Sequence, residues 1–108
     1  MGIRAMVVRP GEYGEIVHLS ERHWGDELAR LIDTDAIQPF NRLSNHTAMW
    51  VDEDGALKSL SLNVEAVRIA TEIAGRQVIP LVGTVIFTGV ILRGRITNLP
   101  ENIGPREG

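Results

Sequence analysis

Apolar residues fill all but one position of residues 3–8, and the run stops at Arg9-Pro10-Gly11, a turn signal. An extended pattern resumes over residues 15–19, so the two segments predict a hairpin closed by residues 10–14. Ser20 is a natural N-cap, and Trp24, Leu28, Leu31 and Ile32 then recur at helical spacing. They predict an amphipathic helix ending near Asp33, with Asp26, Glu27 and Arg30 on its wet side. Residues 36–42 fit neither pattern, because Pro39 confines any strand there to a sheet edge or a loop. Residues 46–51 read as a strand, Asp52-Glu53-Asp54-Gly55 as a turn, and residues 56–62 as the return strand of a second hairpin.

Asn63 predicts the cap of a second helix, with Val67, Ala70, Ile73 and Ala74 on one face and Gly75 as its left-handed stop. The most hydrophobic segment, residues 84–92, predicts a central strand buried on both faces. Arg93-Gly94-Arg95 reads as a turn into a short last strand that reaches Leu99. The sum is an α+β domain: a single mixed, mostly antiparallel sheet built from hairpins, with two helices packed on it. The domain is expected to occupy residues 1–99, and residues 100–108 to form a flexible C-terminal tail.

Composition narrows the classes. A chain of 108 residues has room for one core, and 44% apolar with 23% charged residues is far from a disordered composition. With no cysteine, disulfides, thiolate zinc sites and cysteine nucleophiles are excluded, and a reducing, cytoplasmic setting is expected. The longest uncharged stretch, residues 77–92, is interrupted by Pro80, Gly83, Thr84, Thr88 and Gly89, too often to suit a membrane span. Met1-Gly2-Ile3-Arg4 does not open like a signal peptide. A net charge of −3 argues against a general nucleic-acid binder.

Most chemical motifs are missing. His18, His23 and His46 lack the spacing of zinc ligands on one helix. The turn of residues 52–55 is acidic enough to suggest calcium, but a calcium loop needs a glutamate six residues past its glycine, where Ser61 stands. Neither Gly11-Glu12-Tyr13-Gly14 nor the block of residues 83–89 matches a phosphate-binding loop. Ser20, Ser44, Ser59 and Ser61 stand outside any nucleophile elbow. No metal or cofactor is expected.

Two polar constellations remain as candidates. Arg76, Arg93 and Arg95 lie in a stretch, residues 73–100, that holds no acidic residue. Guanidinium groups so placed suit a nucleotide-like anion, or they guard the ends of an aggregation-prone strand. Trp50 shares a strand face with His46 in the extended reading, and with Ile96 it makes a candidate protein interface if that face is open.

The order of signals also resembles a known family. The features are Pro10-Gly11 after the first strand, Trp50-Val51-Asp52 leading into Asp54-Gly55, then Leu62-Asn63, Gly83-Thr84-Val85-Ile86-Phe87-Thr88-Gly89, and Leu99. They are similar, over residues 3–99, to small uncharacterised domains of bacteriophages, plasmids and actinobacteria filed as a domain of unknown function. The helix between Asn63 and Gly83 departs from that pattern, in which the corresponding segment is shorter and more polar. The resemblance implies a mobile-element origin and no catalytic residues. The expected function is a small non-catalytic interaction protein that binds a host protein or itself, as a homodimer. The alternatives are a binder of a small anion and an enzyme, the latter supported by nothing beyond the presence of polar residues.

Overall fold

The computed structural model describes residues 2–106, apart from the side chains of residues 40–42. Strands β1 (Ile3–Val8), β2 (Glu15–Leu19), β3 (Ile37–Arg42), β4 (Ala48–Asp52) and β5 (Val85–Thr88) form one sheet in the order β2-β1-β5-β4-β3. Strands β6 (Ile91–Leu92) and β7 (Arg95–Ile96) form a second, two-stranded sheet. Helix α1 (Trp24–Ile32) connects β2 to β3, and α2 (Val64–Ala74) connects β4 to β5. The class is α+β, as expected. The single mixed sheet is corrected to two sheets in which every pair of strands is antiparallel.

Successive strand residues point to opposite faces, and the two cores separate on that rule. Met6, Val8, Met49, Val51, Val85 and Phe87 pack with Ala66, Ile69 and Ala70 of α2. Ala5, Val7, Trp50 and Ile86 pack with Leu28 and Ile32 of α1. The helices therefore cover opposite faces, and β1, β5 and β4 are buried between them. This double cover explains why those strands read as unbroken apolar runs rather than as alternation.

Two strand expectations need correcting. The partners of β4 are β3 and β5, not residues 56–62, and β3 is the sheet edge on which Pro39 is tolerated. Residues 56–62 instead curl back: the amides of Lys58, Ser59 and Leu60 donate to the carbonyls of Asp54, Ala56 and Gly55. The predicted strand over residues 84–92 is cut after Thr88. There Gly89 lies so close to the backbone of residues 97 and 98 that a Cβ would stand 2.6 Å from the Thr97 carbonyl oxygen. The chain turns away at that contact and forms β6.

Both helix ends have local causes. Asn63 caps α2, its side-chain oxygen accepting from the Ala66 amide at 3.1 Å, and Gly75 ends it with a φ of 69°. Asn63 is fully buried and also donates from Nδ2 to the carbonyls of Val8 (2.9 Å) and Gly83 (2.8 Å). One amide thus ties α2, the end of β1 and the approach to β5 together. Gly83 sits there at a φ of 75°, and a Cβ would meet the Leu60 side chain at 2.6 Å. Ser20 acts one turn ahead of α1: its hydroxyl accepts from the amides of Arg22 and His23, and its own amide donates to the Glu27 carboxylate. His23, the residue next to the helix, makes no side-chain cap.

Residues 100–106 are mostly exposed and touch the rest of the chain at a few points. The Leu99 amide donates to the Arg4 carbonyl, and the Arg4 guanidinium donates to the carbonyls of Leu99 and Pro100. Ile103 rests on the α2-side core, and Arg106 lies over the Tyr13 ring. Residues 107–108 lie outside the described residues.

Candidate functional site

The structure separates the interface candidates. Trp50 is 4% exposed, donates from its indole to the Thr88 hydroxyl at 2.9 Å, and stacks at a tilt on Trp24 with ring centroids 5.5 Å apart. Ile96 is 6% exposed and belongs to the same α1-side core. His46 is exposed but precedes β4 and lines a cleft on the α2 side. The open face expected to unite Trp50, His46 and Ile96 is therefore absent: α1 and the β6–β7 hairpin close over it. The segment of residues 96–99 is no open edge either, since Ile96 pairs with Ile91 and Thr97 bonds to Val90.

The arginines are divided in the same way. Arg93 and Arg95 share the β6–β7 hairpin, where Arg93 (φ 51°) and Gly94 (φ 76°) form a left-handed two-residue turn. Arg95 lines a depression with Ile3, Trp24 and Glu21, so it has an acidic neighbour after all. Arg76 follows the C-terminal cap of α2, on the other side of the sheet from Ile96.

The acidic turn of residues 52–55 serves the fold. The Asp52 carboxylate accepts from Lys58 Nζ (2.7 Å), the Asp54 amide (2.9 Å) and the Thr34 hydroxyl (2.9 Å). Burial pushes the Asp52 carboxyl up, but these donors outweigh it and hold it below its ordinary 3.8. Glu65 is likewise held below 4.5, chiefly by its hydrogen bonds from Arg68. Carboxylates depressed in the folded state contribute stability that is complete above their unfolded values and lost as pH falls through the folded ones. Thermal melts should therefore be level from neutrality down to about pH 5 and fall steeply below pH 4. Asp52→Asn should flatten part of that fall, and an unchanged acid slope would contradict the assignment.

Sequence reasoning missed a cleft of about 480 Å³ between α2, the β3–β4 turn and residues 100–104. Ile69, Ile73 and Ile103 supply apolar walls, and His46, Thr47 and Asn102 supply polar groups. Arg68 and Glu72 also border it, and Arg68 is engaged on both sides: bidentate to Glu65 at 2.9 Å and to Glu72 at 3.1 Å. Thr47 is 1% exposed, and its hydroxyl is the one buried side-chain polar atom without a hydrogen-bond partner among the described residues. The only signal in the sequence was the mixing of Arg68, Ile69, Glu72 and Ile73 along one helix face, which reads as an ordinary amphipathic border.

A second exposed feature lies at the connections on either side of α2. Leu62 bridges Val82, the Asn63 amide donates to Leu81, and the Gly83 amide donates to Ser61. Along these paired segments and the adjoining turn, Leu57, Leu62, Val64 and Ile79 are 86, 53, 67 and 59% exposed. No helix among the described residues is long and apolar enough to cross a membrane, and no group of three or more potential metal ligands occurs among them.

The fold is thus an antiparallel α+β sheet with one helix on each face. The chain belongs to the family described as Domain of unknown function (DUF3846), whose model matches residues 3–104. No curated protein and no solved structure matches it.

Proposed function

We propose that this chain is a small non-catalytic interaction protein whose contact surface is the apolar border of the Leu62–Val82 bridge. The observation that supports the reading is the exposure of Leu57, Leu62, Val64 and Ile79 on neighbouring segments. Scattered apolar residues on a surface need no explanation, whereas grouped ones mark contact sites. The occupant we favour is a second copy of the chain. Two-fold dimers are the commonest assembly, and a net charge of −3 opposes self-association only weakly. Cytoplasmic residence, expected from a chain without cysteine, and a phage or mobile-element origin, implied by the family resemblance, complete the proposal. In that setting a host protein is the other candidate partner. Light scattering on the parent and on Leu57→Ser/Leu62→Ser tests the reading, since the two exposed substitutions remove apolar surface and leave both cores intact.

A further inference from the structure

We infer that the outer edge of β2 accepts an extended, basic polypeptide segment as a further strand of the five-stranded sheet, hydrogen-bonded to the main chain of Ile16 and His18. This edge shares no residue with the Leu62–Val82 border, so either surface can fail its test without the other.

The main-chain geometry selects a strand. β2 ends the sheet, with β1 as its one neighbour. In an antiparallel ladder the N–H and C=O of one residue point to the same side, and those of the next residue point to the other. In β1 the Arg4 carbonyl accepts from the Leu99 amide, the Arg4 amide donates to Asn98 Oδ1, and the Val8 carbonyl accepts from Asn63. Arg4 and Val8 thus turn away from β2, and Ile3, Ala5 and Val7 bond to it through Leu19, Val17 and Glu15. The main-chain groups of Ile16 and His18 are left facing outward, and no segment among the described residues pairs with them. An N–H and C=O at alternate residues match the main chain of an extended polypeptide, the pattern by which sheet edges bind peptides.

The edge is also undefended. Folded chains blunt free edges with proline, lysine, a bulge or a cover. The opposite edge, β3, carries Pro39 and a register shift between Phe40 and Arg42. β2 has neither proline nor lysine, and it pairs with β1 without interruption from Glu15 to Leu19. Ile16 and Val17, half-buried on the α2 and α1 sides respectively, leave apolar surface on both faces beside an added strand.

Charge selects the occupant. Residues 12–21 carry Glu12, Glu15 and Glu21, all exposed, and no lysine or arginine. Arg9 reaches Glu15 at 3.0 Å, yet the Glu15 side chain stays 63% exposed. A basic segment lays cations against these glutamates, whereas a second β2 would bring the same acids to a chain of net charge −3.

The test is amide NMR with hydrogen exchange on the full chain, alone and with short end-blocked peptides of alternating valine and lysine or alternating valine and glutamate, each to millimolar concentration. In the free chain the amides of Ile16 and His18 should exchange much faster than that of Val17. The lysine peptide should slow both and shift the resonances of β2, and the glutamate peptide should do neither. His18→Pro deletes one outward N–H and no bond to β1, so it should weaken the lysine peptide about fivefold, the size of one hydrogen bond. Glu12→Lys/Glu21→Lys lies outside the strand and keeps the test readable if the proline variant folds poorly. It should lose the response to the lysine peptide and gain one to the glutamate peptide. Unslowed exchange at Ile16 and His18 with the lysine peptide, an equal response to both peptides, or protection in the free chain that rises with its own concentration would each overturn the inference.

Discussion

Asn63→Ala is expected to lower the unfolding free energy by about 4 kcal/mol, because it removes three buried hydrogen bonds and leaves their partners unpaired. A helix cap alone accounts for about 1 kcal/mol of that loss. The remainder comes from the buried carbonyls of Val8 and Gly83, which accept from Asn63 Nδ2 and would lose that donor. Asn63→Asp separates the two roles. Aspartate caps a helix as well as asparagine does, but it offers acceptors where the carbonyls need donors. If Asn63 served only as a cap, the aspartate variant would match the parent in urea unfolding. The expected outcome is a loss of about 3 kcal/mol or more, the cost of two buried carbonyls set against a carboxylate.

Phe87→Ala is expected to cost about 3–5 kcal/mol, the usual range for a fully enclosed ring. Phe87 is 0% exposed on the central strand, with Met6 and Met49 opposite it in register on either side. Its ring enters the α2-side core, where a cavity would be bounded by strands held on both edges and could not collapse readily. Phe87→Leu, which keeps most of the volume, should lose less than half as much. A Phe87→Ala variant as stable as the parent in urea melts would mean that the ring contributes little beyond its Cβ.

Elements whose causes are local were legible in the sequence. Residues 3–8 and 15–19 carry their own strand pattern, Asn63 and Gly75 carry their own cap chemistry, and the run of residues 85–87 announces burial on two faces. The misreadings lie where distant contacts decide. Pro39 leaves residues 36–42 only an edge strand or a loop, and the pairing of β3 with β4 decides for the edge. Residues 56–62 look extended until Asp52, fixed in β4, draws Lys58 back to itself. The break after Thr88 depends on residues 97 and 98 returning against Gly89, which no window of local sequence records.

The same division governs the sites. Strand parity puts Trp50 and His46 on one face, but His46 stands before the strand begins, and α1 covers the face that Trp50 occupies. The cleft around Thr47 is assembled from the β3–β4 turn, one face of α2 and the C-terminal segment, three stretches far apart in the chain. No spacing rule joins them. Asn63, Gly83 and Gly89, which are among the features of the family resemblance, hold the junction between helix and sheet and the bend after β5.

The most direct measurement of the proposed association is light scattering coupled to size exclusion, across concentrations from low to high micromolar. The expected result is a mass that rises from the 11.9 kDa of one chain toward twice that value, and that stays at one chain for Leu57→Ser/Leu62→Ser under the same conditions. A parent mass of 11.9 kDa at every concentration, or a double variant that dimerises as well as the parent, would contradict it.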